Sequence, residues 1–272
     1  MIVEFTMEDA VLELPAFLQD EAAYNLLHLI TESKQALCLT SRRRWVIFAQ
    51  TPGHNAWLWI TEQANDSERE RLIQQLVEAL VKRDIVLPGV TGTARTAKLF
   101  AERYSAERRT SYETRMGMES YTCPNVPNRP VVAGRLRVSN RQDAPVIAAF
   151  LAGFQEDAYG TPSNAESHLA AAEWMCSSGK LYVWTIENKI VSMANLAHRS
   201  RRYGRINSVY TPPPHRQNGY ASAIVSALCS ILHSEKLIPM LYADQLNPDS
   251  NRVYRNVGFL PSGVVNEIRF LG

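Results

Sequence analysis

The sequence is poor in cysteine, and the four it has, Cys38, Cys123, Cys176 and Cys229, lie far apart with no C-x-x-C pair. That spacing argues against a zinc site or a disulfide framework. It suits reduced, mostly buried thiols in a cytoplasmic protein, with no metal expected. Long apolar runs are missing as well. The longest, from Ala221 to Leu232, is broken by serines and too short to cross a bilayer, so no membrane partner is expected. The N-terminus carries Glu4, Glu8 and Asp9 rather than a basic segment ahead of an apolar core, so no secretory signal is expected. An excess of one charge is absent too: 29 basic and 27 acidic residues leave a formal charge of +2. That balance argues against a dedicated nucleic-acid binder.

What is present describes an ordinary globular chain. Over 272 residues it is 46% hydrophobic and 21% charged, enough for one or two domains. Residues 1–125 read as an α/β unit. Two short helices flank Pro15, and strands are expected at Ala36–Leu39, Trp45–Gln50 and Ala56–Thr61. Ser67–Arg83 reads as a helix whose apolar stripe is Leu72, Ile73, Leu76, Val77, Leu80 and Val81, with a capping box from Ser67 and Glu70. A short strand at Ile85–Leu87, a turn at Pro88–Gly92, a helix at Ala94–Glu107 and a strand at Ser111–Tyr121 complete this half.

Pro124, Pro127 and Pro130 mark an extended segment, and residues 126–134 read as a linker. In residues 135–272 a strand at Leu136–Val138 precedes a helix capped by Ser139, and a second helix covers Ser163–Ser177. A hairpin joins Leu181–Ile186 to Ile190–Ala197. A basic turn from Arg199 then returns into a strand over Ile206–Thr211.

The most informative stretch follows, R-I-N-S-V-Y-T-P-P-P-H-R-Q-N-G-Y-A from Arg205 to Ala221. Val209 and Tyr210 favour a strand, and the prolines at 212–214 cannot continue a ladder. Arg216, Gln217, Asn218 and Gly219 then sit at an expected helix start, where unpaired N–H groups favour an anion and small residues admit its close approach. A helix to Ser234 and a strand at Leu237–Ala243 come next. Beyond them lies Asn247-Pro248-x-x-Asn251-x-x-Tyr254-x-x-x-Gly258-Phe259.

Arg216-x-x-Gly219-x-Ala221 after Val209-Tyr210-Thr211-Pro212, with that second helix downstream, resembles the acyl-CoA site of the GNAT superfamily of N-acetyltransferases. The resemblance implies a mixed, mostly antiparallel α/β (α+β) sheet flanked by helices. Residues 1–125 look like a degenerate tandem GNAT-like domain, and the tail Gly263–Phe270 resembles the final strand of predicted two-domain acetyltransferases. It implies acetyl-CoA as acyl donor in direct transfer to a small-molecule or peptide amine. The pantetheine arm would pair with Val209, Tyr210 and Thr211, and the proline run would splay that strand from its neighbour. Arg216, Gln217, Asn218, Gly219, Tyr220 and Ala221 would hold the pyrophosphate, with Asn247 and Asn251 at the pantetheine amides. Tyr254 would protonate the departing thiolate as the catalytic acid.

No general base stands out among Glu156, Asp157, Glu166, His198, Asp244 and Glu267, and a water chain is an alternative. The basic run Arg199–Arg205 reads as a solvated turn or as a contact for CoA phosphate or an acidic partner. A non-catalytic acyl-CoA-binding or regulatory module is the rival reading. Pairing into a homodimer stays open.

Overall fold

The structure, a computed structural model, describes residues 1–128 and 130–271; Arg129, inside the expected linker, and Gly272 lie outside the described residues. In chain order the strands and helices are β1 (Ile2–Glu4), α1 (Pro15–Leu18), α2 (Leu26–Thr31), β2 (Leu37–Ser41), β3 (Val46–Gln50), β4 (Ala56–Ile60), α3 (Asp66–Lys82), β5 (Gly89–Gly92), α4 (Ala94–Arg108) and β6 (Ser111–Thr122). There follow β7 (Arg135–Val138), α5 (Ala144–Tyr159), α6 (Ala165–Ser177), β8 (Leu181–Ile186), β9 (Lys189–Arg199), β10 (Tyr203–Tyr210), α7 (Tyr220–Ser234), β11 (Ile238–Asp244), α8 (Pro248–Val257) and β12 (Leu260–Leu271).

The chain folds into two compact units. The first holds Met1–Ser120, Ala243–Asn247 and the segment from Pro261 onward; the second holds Tyr121–Tyr242 and Pro248–Leu260. In the first unit the strands run β1-β2-β3-β4-β5-β12-β6. Of these pairs β4–β5 is parallel, while β1–β2, β2–β3, β3–β4 and β5–β12 are antiparallel. The core lies between this sheet and α3 and α4. Of the predicted stripe of α3, Leu72, Ile73, Leu76, Val77 and Leu80 are buried against Phe48, Leu58, Phe100 and Tyr104, and Val81 is partly buried beside them. Each such side chain contributes about 1.5–3 kcal/mol by leaving water.

Three expectations change here. The α3 cap is Asn65, whose Oδ1 accepts from Glu68 N–H at 2.9 Å while Glu68 Oε2 accepts from Asn65 N–H at 3.2 Å, so Ser67 and Glu70 lie inside the helix. The turn at Pro88–Gly92 is the strand β5, and Ile85–Leu87 is not one. β-Branched Val90 and Thr91 suit a strand, and the glycines answer crowding: a Cβ on Gly92 would meet the Leu58 carbonyl oxygen at 2.7 Å. Finally, the last strand, expected with residues 135–272, lies between β5 and β6. There Ile268 and Phe270 join the first core, with the Phe270 ring 4.7 Å from that of Tyr104. The apolar alternation of β12 supplies the missing layer of a core that is distant in sequence.

In the second unit the order is β11-β10-β9-β8-β7, with β10–β11 parallel and the rest antiparallel. α5 and α6 cover one face through Ile147, Ala148, Phe150, Ala172 and Cys176 on Leu181, Val183, Met193 and Tyr210. All four cysteines are free and buried. No helix among the described residues is long and apolar enough to cross a membrane, and no group of side chains among them is placed to hold a metal ion.

The helical turn Arg141–Asp143 that leads into α5 is capped by Asn140, not Ser139. Its Oδ1 accepts from Gln142 N–H at 2.9 Å, and its own N–H donates to Asp143 Oδ2 at 2.8 Å. Arg137 grips the same carboxylate through both Nη atoms at 2.7 and 2.8 Å. The guanidinium holds the Asp143 carboxyl below its usual value, helped by the Asn140 N–H. A depressed folded value stabilises above the unfolded value of about 3.9 and loses that effect as the pH falls through the folded value. Asp143→Asn is therefore expected to cost about 1–3 kcal/mol at pH 7, with the gap from the parent closing as the pH falls below about 4. Urea melts across that pH range check this; a gap independent of pH would rule it out.

Candidate functional site

The second unit opens a slot between two of its strands. β10 and β11 pair at Tyr203–Ile238, Gly204–Pro239 and Arg205–Met240, and the ladder stops there although both strands continue. On its other side β10 pairs with β9, with irregularities between Arg205 and Ile206 and between Asn207 and Tyr210. Ser208, within the second, has φ +50°. The expectation from sequence that the proline run splays the strand is therefore not met. Parting begins at Ile206, ahead of Pro212, where bulges twist the strand away from its neighbour.

Val209 falls inside this bulge and has no ladder partner in either neighbouring strand. The other two expected backbone partners are engaged. Ser192 Oγ donates to the Tyr210 carbonyl at 3.1 Å and lies 2.9 Å from Thr211 Oγ1, while Arg216 Nε donates to the Thr211 carbonyl at 2.9 Å. Tyr210 is buried edge-on against Phe150, ring centroids 5.6 Å apart.

The prolines form one short turn, with His215 N–H on the Pro212 carbonyl at 2.9 Å and Arg216 N–H on that of Pro213 at 3.2 Å. Gln217 (φ +63°) and Gly219 (φ +78°) then turn left-handed, and α7 starts at Tyr220. Asn218 stitches the turn, its Nδ2 donating to the carbonyls of His215 at 3.2 Å and Arg216 at 2.9 Å. Among the described residues no group accepts from the backbone N–H groups of Gln217 through Ser222; the first such bond is Ala223 N–H to the Gly219 carbonyl at 2.9 Å. A Cβ on Gly219 would lie 3.0 Å from Val132 Cγ2. Free donors, a helix start and a crowded glycine together make a cradle for an anion. Arg216 is ion-paired with Asp157 and lies 5.9 Å from the Tyr210 ring centroid, so its charge is shared before any anion arrives.

Asn251 and Tyr254 sit three residues apart on α8 and are buried, 5% and 8% exposed. The Tyr254 ring packs 6.2 Å from Tyr121 and 6.0 Å from Phe259. Its hydroxyl makes no hydrogen bond to a described residue, and burial pushes its pKa up to about 12. Asn247 precedes the helix and belongs to the first unit, its N–H on the Asp244 carbonyl at 3.1 Å.

The base candidates do not converge. Glu156 and Glu166 are exposed, Asp157 is paired with Arg216, and Asp244 and Glu267 belong to the first unit, where Glu267 bridges Arg115 at 3.1 Å. His198 is buried on β9 opposite Arg205. The basic run is not one solvated turn either: Arg199 grips Glu235 at 2.7 and 3.0 Å, and Arg205 is buried on β10. Sequence reasoning missed Ser192, Val132 and the bulge at Ser208. Each matters through a distant chain segment and leaves no local signature.

Residues 148–259 match the acetyltransferase (GNAT) family. No curated relative matches the sequence. Among solved structures, the chain resembles a Drosophila protein at 12% identity and TM-score 0.67, covering 99% of this chain and 98% of that one. It resembles a GCN5-related N-acetyltransferase from Sphaerobacter thermophilus at 16% identity and TM-score 0.60, covering 100% and 95%. A GNAT-family acetyltransferase from Colwellia psychrerythraea aligns at 10% identity and TM-score 0.56, covering 99% and 98%. At these identities the structural likeness concerns the fold. The splayed strand pair and the glycine cradle lie within the matched segment, so the chain has the GNAT acetyltransferase fold along its length, and the region that matches the GNAT acetyltransferase family, residues 148–259, is the one that carries the candidate site.

Proposed function

We propose that this protein is an acetyl-CoA-dependent N-acetyltransferase that acts on a small-molecule or peptide amine. The observation that carries the reading is the row of backbone N–H groups from Gln217 to Ser222, which lack an acceptor at the start of α7, beside a strand pair that opens at Arg205. These residues fit the donor. Gln217, Asn218, Gly219, Tyr220 and Ala221 would hold its pyrophosphate by backbone donation, and Arg216 would add charge on leaving Asp157. Val209, free of any ladder, would hold the pantetheine arm as an added strand, with Tyr210 and Thr211 flanking it. Asn251, with Asn247, would meet its amides.

When bound, acetyl-CoA supplies an acetyl thioester whose C–S bond breaks as the acceptor nitrogen forms its C–N bond. Tyr254 would give its phenolic proton to the departing sulfur, and the nitrogen's proton would leave to solvent or to a chain of waters. The first unit would act as a degenerate GNAT-like domain, since it has no counterpart of the Arg216–Ala221 loop. One acetyl-CoA per chain is therefore expected by calorimetry, together with thiol release in the presence of amines, amino acids, polyamines or peptides. Two equivalents bound per chain would overturn the single-site reading. Binding with no thiol release on any acceptor would favour the non-catalytic module.

A further inference from the structure

Arg205 is the third residue of β10 and is only 9% exposed, and its Nε is enclosed without an acceptor. Among the described residues no carboxylate, carbonyl or hydroxyl accepts from its guanidinium. The comparison within the protein is Arg69, 4% exposed, which donates to Thr96 Oγ1 at 2.9 Å and to the Thr61 carbonyl at 3.4 Å and stands 3.6 Å from Glu62. A buried arginine is normally satisfied in that way, because an enclosed cation without acceptors is strongly unfavourable. Burial pulls the Arg205 pKa below the usual arginine value, and no carboxylate restores it.

Its position gives the unpaired guanidinium a purpose. The preceding residue, Gly204, faces α7, where a Cβ would meet Leu232 Cδ1 at 2.8 Å. Strand alternation turns Arg205 to the opposite face, the one shared with α5 and α6. There it stands across from His198, and two residues on, Asn207 Oδ1 accepts from Asn195 Nδ2 at 2.9 Å. Arg205 is also the last β10 residue paired with β11, so its backbone marks the closed end of the slot along which Val209 lies. Asn207 is about 7 Å further along the strand, and the strip between them is polar.

We propose that Arg205 binds a carboxylate on the acceptor, so that the substrate class is amino acids: short molecules with a carboxylate near the reacting amine. This rests on the acetyl-transfer reading above. A planar guanidinium takes a carboxylate through two parallel N–H bonds, a geometry that also serves phosphate, so aminophosphates are the competing source of the same chemistry.

The test uses the full chain, acetyl-CoA and thiol release. Glycine, L-glutamate and L-phenylalanine are each run beside their carboxamides, with phosphoethanolamine as the aminophosphate. The parent is expected to prefer a carboxylate over its amide at least about tenfold in kcat/KM. Arg205→Gln is expected to raise KM for that carboxylate about 10- to 100-fold, with KM for acetyl-CoA and the slow rate on the amide unchanged. Two further readouts do not depend on turnover. N-acetylglycine, but not N-acetylglycinamide, is expected to raise the parent's melting temperature, and Arg205→Met is expected to abolish that shift. Without ligand, Arg205→Met is expected to melt no lower than the parent, because no partner is left behind. Equal use of acids and amides, preference for phosphoethanolamine, or a lower melting temperature of ligand-free Arg205→Met would overturn the proposal. Failure of the parent to bind acetyl-CoA by calorimetry would count against the transfer reading alone, and the N-acetylglycine shift would still decide the role of Arg205.

Discussion

Tyr254→Phe is expected to lower kcat by about 10²- to 10⁴-fold, the usual contribution of a positioned general acid, with little change in affinity for acetyl-CoA. The substitution removes one oxygen and leaves the ring against Tyr121 and Phe259, at 6.2 and 6.0 Å. The hydroxyl has no partner among the described residues, so no buried group is stranded by its loss. Burial raises its pKa to about 12, which keeps the phenol protonated across the working range. The same shift has a sign for stability. A raised folded value stabilises fully below the unfolded value of about 10 and loses that effect as the pH climbs toward 12. Tyr254→Phe is therefore expected to lose less stability than the parent between pH 10 and 12, a structural control independent of rate. Turnover within about twofold of the parent on the true acceptor would remove Tyr254 from the mechanism, and water or product would then have to protonate the thiolate.

Gly219→Val is expected to weaken acetyl-CoA binding by at least about 100-fold, which is about 2.8 kcal/mol. Gly219 sits at φ +78° immediately before α7, in the left-handed region that a β-branched residue enters only with strain. Its Cβ would stand 3.0 Å from Val132 Cγ2, and the added methyl groups would crowd the N–H groups proposed to hold the pyrophosphate. Strain alone could disturb the loop, so Gly219→Asn serves as the control: asparagine tolerates positive φ but still carries a Cβ. Near-parent melting of Gly219→Asn with reduced affinity would place the effect at the cradle. Calorimetry showing unchanged acetyl-CoA affinity in Gly219→Val would remove the loop from the site.

What could be read from the sequence was local. The helical stripe of α3 follows from 3.6-residue periodicity, and its apolar positions 72, 73, 76, 77 and 80 are buried. The turn from Pro212 to Gly219 follows from residues that restrict the chain, since proline has no N–H and glycine enters φ +78° without strain. Errors of a residue or two at the caps, Asn65 for Ser67 and Asn140 for Ser139, reflect neighbours with similar oxygen acceptors, between which only the bend of the chain decides.

Tertiary structure decided what depends on partners far away in sequence. Gly89–Gly92 is a strand because β12, some 170 residues later, lies beside it; without that neighbour a P-G-V-T-G segment reads as a turn. The slot between β10 and β11 opens at Arg205 because two bulges part the strands, and a register is a property of a pair of strands. The meaning of Arg205 itself changed most. Within R-R-Y-G-R it is one more basic residue of a turn, whereas in the fold it is 9% exposed and its Nε is enclosed without an acceptor. Charge and propensity are written in each residue, but burial depends on what the rest of the chain places around it, and the free energy of a charge depends on burial.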